Sequence, residues 1–136
     1  KMELLHETIK MLGSSTLIYR AYAFSGFVFY EYGSYSLSLY YFDRAFKCFY
    51  DRDDNYYLFE KHLEVQLYKA VTRIFLNKTR YNEAKNFAFK LLRKSWLLGD
   101  VDEEVGAYDL LGKIYMELQQ ITMSRFFHYR MAAGER

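Results

Sequence analysis

One stretch of the chain, residues 97–131, constrains the fold more than any other. Its apolar and small residues recur every three or four positions in two consecutive runs, which is the spacing of two helices that each bury one face. The first run places Tyr108, Leu111, Gly112 and Tyr115 on one face, and the second places Ser124, His128 and Met131 on one face. Because Gly112 has no side chain, the two helices can approach closely there, and the stretch predicts an antiparallel helical hairpin.

The same arrangement occurs twice earlier in the chain. The first copy has Tyr22, Gly26 and Phe29, a turn at Gly33, and then Tyr35, Ser38, Phe42 and Ala45. The second copy has Tyr68, Thr72 and Phe75, a turn at Thr79, and then Tyr81, Ala84, Ala88 and Leu91. A hairpin with apolar residues on more than one face cannot bury them alone, so the copies are expected to pack on one another.

These positions resemble the tetratricopeptide (TPR) repeat over about residues 17–132. The resemblance implies an all-α fold in which antiparallel helical hairpins stack as a TPR-like right-handed superhelix, an α-solenoid. Tyr22, Tyr68 and Tyr108 are 46 and 40 residues apart, whereas the ordinary repeat has about 34, and the chain has no proline. It is therefore similar to the longer repeats of the LGN/Pins-type and kinesin light chain-type families.

The repeat spacing also predicts the organisation of the chain. We expect four segments, namely the second helix of a preceding repeat at 1–13 and TPR-like repeats at 17–52, 55–96 and 100–132. Because residue 1 already falls in a helical pattern, the chain is expected to be a fragment of a longer protein. Asn55 and Asp100 can cap helices, Glu103 completes a capping box with Asp100, and Gln119 and Gln120 are predicted to form the last turn.

Composition excludes several classes of partner. The 136 residues are 51% hydrophobic and 21% aromatic, which is enough for a packed core throughout. The net charge of +2 gives no bulk attraction to nucleic acid or to a membrane surface. The most apolar segment, 21–30, has ten residues, whereas a spanning helix needs about 20. Cys48 is the only cysteine, so no internal disulfide can form, and an intracellular location is favoured.

Catalytic chemistry has little support in the sequence. His6, His62 and His128 fall in different units, and none has a second metal ligand at helical spacing. The acidic run at 51–54 lacks the glycine of a calcium loop, and this run and the one at 102–104 are interpreted as solvated turns. We therefore expect no catalytic residue, no cofactor and no metal, and we interpret His128 as a satisfied structural histidine.

The TPR resemblance implies a concave groove lined by the first helices of successive units. Carried onto this sequence, the partner-binding positions are Arg20, Phe27 and Tyr30 in the first unit, Gln66, Lys69 and Arg73 in the second, and Asp109, Lys113 and Met116 in the third. The cations would meet acidic side chains of a bound peptide or helix, and the apolar residues would supply contact area. An equally weighted interpretation is that these are ordinary solvated or packing residues.

The resulting prediction is a non-enzymatic scaffold or adaptor that binds partner proteins through this groove within a larger assembly. The partners would be a peptide or helix in the groove and neighbouring subunits. The expected location is the cytoplasm, with the cytoskeleton or a cilium as the more specific alternative. One alternative is a structural subunit of a cytoskeletal or ciliary axonemal complex. Another is a regulatory helical domain of an enzyme whose catalytic part lies outside this chain. An RNA-binding helical repeat would instead show strongly salt-dependent binding.

Overall fold

The computed structural model describes residues 2–10, 15–50, 58–118 and 121–134. Every regular element in this part of the chain is an α-helix, which confirms the all-α class. The helices are α1 (Met2–Lys10), α2 (Ser15–Glu31), α3 (Tyr35–Tyr50), α4 (Leu58–Asn77), α5 (Tyr81–Leu98), α6 (Val101–Glu117) and α7 (Ile121–Ala133). The predicted cap at Asn55 and the predicted turn at Gln119 and Gln120 lie outside the described residues.

Two tight turns occur where the sequence predicts them. Gly33 follows α2 with a φ of 77°, and the N–H groups of Gly33 and Ser34 donate to carbonyls of the last turn of α2. Thr79 follows α4 with a φ of 59° and is followed by the same pattern of backbone hydrogen bonds. A side chain makes this left-handed conformation unfavourable, so Thr79 is a strained counterpart of Gly33.

The beginning of α6 confirms half of the predicted capping box. The Asp100 carboxylate accepts a hydrogen bond of 3.2 Å from the backbone N–H of Glu103, as a helix cap requires. The reciprocal contact from the Glu103 side chain is replaced by contacts to Gln66 and Lys69 on α4. The cap therefore fixes the helix start, while the second carboxylate is used between helices.

The chain divides into two compact units, residues 1–63 (unit 1) and 64–136 (unit 2). In unit 1, α2 packs on α3, and a Cβ added to Gly26 would lie 2.5 Å from the ring of Phe42. The hydroxyl of Ser38 donates a 2.8 Å hydrogen bond to the carbonyl of Gly26. These contacts confirm that Gly26 is the point of close approach between the two helices.

The core of unit 1 is made largely of aromatic side chains. Tyr19, Tyr41 and Phe42 are almost fully buried, and the ring of Phe29 stacks on that of Tyr41 with centroids 5.5 Å apart. Tyr22 and Tyr41 lie 6.2 Å apart, and burial raises the pKa of both phenols above its ordinary value. These rings thus serve packing within unit 1.

Apolar clusters join the helices of unit 2 within the described residues. One cluster joins α5, α6 and α7 through Ala84, Ala88, Tyr108, Leu111, Ile114, Tyr115 and Phe127. Another joins α4, α5 and α6 through Val65, Leu91, Ala107 and Leu110. The backbone of Gly112 lies directly against the imidazole of His128, where a Cβ would overlap the ring. This contact confirms the predicted close approach of α6 and α7.

Candidate partner-binding surfaces

Arg20, the first predicted groove residue, is used inside unit 1. Its guanidinium Nε donates to the Glu60 carboxylate over 2.7 Å, and the Glu60 side chain is only 1% exposed. The backbone carbonyl of Glu60 also accepts a hydrogen bond from the Tyr19 hydroxyl. Arg20 therefore neutralises a buried carboxylate and ties α2 to α4, which is a structural use of a residue assigned to ligand binding.

Phe27 and Tyr30 are half-buried in the same unit. The Phe27 ring meets that of Phe42 edge to face at 5.0 Å, and the Tyr30 ring lies 5.9 Å from that of Tyr35. Both rings thus contribute to the contact between α2 and α3. Their remaining exposed area is what a partner could reach.

In unit 2 the predicted positions Gln66 and Lys69 converge on Glu103. The Gln66 amide donates to one Glu103 oxygen over 2.6 Å, and the Lys69 ammonium lies 3.0 Å from both oxygens. Burial alone would raise the pKa of Glu103. The hydrogen bonds from Gln66 and Lys69 and the positive charges of Lys69 and Arg73 outweigh it and hold the pKa below its usual value. This cluster ties α4 to α6.

The other predicted positions in unit 2 are more accessible. Arg73 on α4 is exposed, and Met116 on α6 is 54% exposed. Lys113 pairs with Asp109 one turn earlier at 3.0 Å, with 58% of the lysine side chain exposed. Spacing along the helix places Asp109, Lys113 and Met116 on one side of α6, about 80–140° around the helix axis from Glu103. They form a charged and apolar stripe that is separate from the Glu103 cluster.

Asp109 also lies near the histidine that the sequence marks as structural. The His128 Nε2 is 4.0 Å from an Asp109 oxygen and is buried with no hydrogen-bond partner within the described residues. The ring sits over Gly112, which fixes its place between α6 and α7. His128 is therefore a packing residue. The prediction that its polar atoms all have hydrogen-bond partners is wrong for Nε2 within the described residues.

A cleft that the sequence interpretation missed lies between α5 and α6. It has a volume of about 450 Å³ and is lined by Phe89, Leu92, Arg93, Trp96, Glu104 and Tyr108. We call it the aromatic cleft. Trp96 is 55% exposed and Phe89 39%, whereas Tyr108 and Glu104 are buried in its wall. The cleft thus presents apolar rings to solvent beside one exposed guanidinium and one buried carboxylate.

A sequence signal for the aromatic cleft exists on α5. Ala84, Ala88, Leu91 and Ser95 form its buried stripe. Phe89 and Trp96 form a second apolar pair, seven residues apart, that lies off this stripe. A helix with apolar residues on two faces needs a neighbour on each face to bury both. Phe89 and Trp96 indicate the face of α5 that is left partly uncovered. The repeat alignment hid the signal because it assigned ligand contacts to first helices only.

Other types of site find no support in the part of the chain that the structure describes. No group of three or more histidine, cysteine, aspartate or glutamate side chains there could hold a metal ion. Among the same residues, no helix combines the length and the apolar character that crossing a membrane requires. In comparisons with known proteins, no family model, no curated protein and no solved structure matches this chain.

Proposed function

We propose that this chain is a non-enzymatic protein-interaction scaffold, built as a TPR-like right-handed superhelix, that binds a partner through the face formed by α4 and α6. In this proposal the predicted groove is used mainly through Arg73, Lys113 and Met116. The partner is an acidic peptide or helix with apolar contacts, held as part of a larger assembly.

The observation that carries the proposal is the Glu103 cluster. By joining Gln66 and Lys69 to Glu103, it holds the first helices of two successive predicted repeats side by side. TPR-like stacking requires this adjacency. Because the cluster is half-buried and charge-assisted, it holds α4 and α6 together before a partner arrives, which lowers the entropy cost of binding.

The exposed charges on this face favour an acidic partner. Arg73 is exposed on the same side of α4 as Lys69, one turn further along. Lys113 forms an ion pair with Asp109 on the same helix, but 58% of the lysine side chain is exposed, so its positive charge is only partly compensated. Rim charges of this kind steer a partner and set specificity, while Met116 supplies an adaptable apolar contact.

The test is affinity capture from native lysate with the parent chain and with an Arg73→Glu, Lys113→Glu variant. Lys69 is left intact, because a glutamate there would face Glu103 in a half-buried site and disturb the fold. The matched control is Arg80→Glu, which changes an exposed cation at the start of α5. Loss of one partner with the groove variant, and its retention with the control, is expected. Capture of the same proteins by all three chains would contradict the groove.

A second use of the same fold is favoured by the exposed apolar residues of unit 1. Phe24, Val28 and Tyr32 lie four residues apart along α2 and its end and are 48%, 52% and 81% exposed. Such a stripe is typical of a surface that another subunit covers permanently. A structural subunit of a cytoskeletal or ciliary assembly would use this stripe rather than the groove. A Phe24→Ser, Val28→Ser variant that loses all capture would favour that role.

A further inference from the structure

The two helices that form the aromatic cleft carry opposite charge. Four cations lie on α5, namely Lys85, Lys90, Arg93 and Lys94, against a single acid, Glu83, and α7 carries Arg125 and Arg130 with no acid. On α6, five acids stand against the single cation Lys113, namely Asp102, Glu103, Glu104, Asp109 and Glu117. An acidic group of a partner is therefore attracted to the α5 side of the cleft and not to its α6 side.

Most of these cations already have a partner in the fold. Lys94 pairs with Glu64 at 3.0 Å, and Lys90 lies 4.7 Å from the centroid of the Phe87 ring. Arg130 lies over the rings of Tyr108 and Phe126. Within the described residues, the exposed guanidinium of Arg93 makes no ion pair with any of the acidic groups around it. Arg93 is therefore the cation of the cleft that is available to a ligand.

We propose that the aromatic cleft is a second docking site, which binds an acidic peptide segment of a partner protein through one large apolar side chain. The apolar side chain enters between Phe89 and Trp96, and an aspartate or glutamate next to it in the partner pairs with Arg93. This site is distinct from the face of α4 and α6 and does not depend on it.

The lining of the cleft determines which part of the partner enters it and which part stays at its rim. The volume of about 450 Å³ exceeds the size of one side chain and leaves room for the flanking backbone. The exposed guanidinium of Arg93 lies at the edge of the cleft, so the acid of the partner remains at the rim with Arg93. An apolar anchor in a pocket with a charged pair at its edge is the usual anatomy of a binding hot spot.

Trp96 makes the proposal directly measurable, because it is the only tryptophan in the chain. Its emission is titrated with capped heptapeptides that carry one central leucine, phenylalanine or methionine flanked by glutamates. A saturable shift of the emission to shorter wavelength is expected for at least one of them. Peptides with glutamine in place of glutamate are expected to bind about two- to fivefold more weakly, as loss of a rim ion pair predicts, and peptides with lysine more weakly still.

Charge reversals locate the site. Arg93→Glu is expected to weaken the acidic peptide at least about fivefold, because it replaces attraction by repulsion at the rim. The matched control Lys47→Glu changes an exposed cation of α3 in unit 1, outside both proposed sites, and is expected to leave the affinity for the peptide unchanged. Arg73→Glu, in the proposed groove, is measured beside them to show which site holds the peptide. All three residues are exposed, and circular dichroism checks that the variants are folded.

Four results would overturn the proposal. The first is the absence of a saturable shift with every acidic peptide. The second is equal or tighter binding of the lysine peptides. The third is tighter binding of a twelve-nucleotide uridine RNA, which would assign the rings and cations to base stacking and phosphate contact. Loss of binding in Arg73→Glu alone would assign the acidic peptide to the groove and likewise exclude the cleft, so the two sites remain distinguishable.

Discussion

In unit 1 Arg20 on α2 binds Glu60 on α4, and in unit 2 Lys69 on α4 binds Glu103 on α6. Both pairs join the first helices of successive predicted repeats, but they differ in depth. The Glu60 side chain is 1% exposed and that of Glu103 17%. A carboxylate buried as deeply as Glu60 destabilises the fold strongly if its partner is removed, whereas one that retains contact with water destabilises it less.

The exposed rings of the two units differ in arrangement. Unit 1 buries Tyr19, Tyr41 and Phe42 almost fully, and its exposed rings Phe24 and Tyr32 lie along α2. Unit 2 leaves Trp96 and Phe89 half-exposed around a cleft. The comparison indicates that both units bury an aromatic core, while the rings left exposed form a stripe in unit 1 and line a concave surface in unit 2.

The largest effect is expected from removing Arg20. Arg20→Met leaves the Glu60 carboxylate buried without its guanidinium and should lower the free energy of unfolding by about 3 kcal/mol. The double variant Arg20→Met, Glu60→Leu removes both charges and should recover most of that loss. Hydrogen exchange of the α2 peptides measures the effect in unit 1. A double variant no more stable than the single one would show that the charge pair is not the cause.

The next largest effect is expected at the closest approach in unit 2. Gly112→Ala places a methyl group against His128 and should destabilise by about 2 kcal/mol, as overpacking does. Gly106→Ala on the same helix meets only a Glu103 oxygen at 3.9 Å and should stabilise by about 0.5–1 kcal/mol through helix propensity. Urea unfolding followed by Trp96 fluorescence measures both. Equal effects of the two substitutions would contradict the close contact.

A smaller, pH-dependent effect is expected for Glu103. Its folded-state pKa lies below the unfolded value, so its contribution is present above the ordinary pKa of glutamate and is lost as the pH falls through the folded pKa. Glu103→Gln should therefore cost about 1–2 kcal/mol at neutral pH, and the difference from the parent should shrink in acid. Urea unfolding of both chains from about pH 7 to pH 3 tests this. A difference that does not change with pH would contradict the charge-assisted cluster.

The smallest effect is expected from the buried phenols of unit 1. Burial raises the folded-state pKa of Tyr41, so the stability it contributes is present below its unfolded pKa and is lost as the pH rises through the folded value. Between about pH 8 and pH 11, the parent should lose more protection in the α2 and α3 peptides than a Tyr41→Phe variant. Hydrogen exchange, corrected for its intrinsic pH dependence, measures the difference. Identical losses would exclude Tyr41 as the titrating group.

Local features of the fold could be predicted from the sequence because each depends on neighbouring residues. Helical spacing and the turns at Gly33 and Thr79 predicted the described helices, and the small residues Gly26 and Gly112 predicted the close contacts. These features need only a pattern within about one helical turn or one hairpin. The TPR-like superhelix and the predicted groove stay predictions.

The partners of the groove residues could not be read from the same patterns. Arg20 and Glu60 are 40 residues apart, and Lys69 and Glu103 are 34 apart, so no local spacing joins them. The acidic residues near 102–104 were interpreted as a cap and a solvated turn, although one of them binds α4. The aromatic cleft was missed because the exposure of Trp96 depends on how much of α5 its neighbours cover, which only the packing decides.

The most direct test of the central claim is hydrogen exchange of this chain, measured with and without a partner protein that it captures. The claim is that unit 2 carries the partner-binding surfaces, so protection on binding is expected in residues 66–76 and 106–116, or around 89–96 for an acidic peptide, with residues 15–50 unchanged. Protection confined to residues 15–50 would contradict it. That result would assign binding to the exposed stripe of α2 and favour the structural-subunit role.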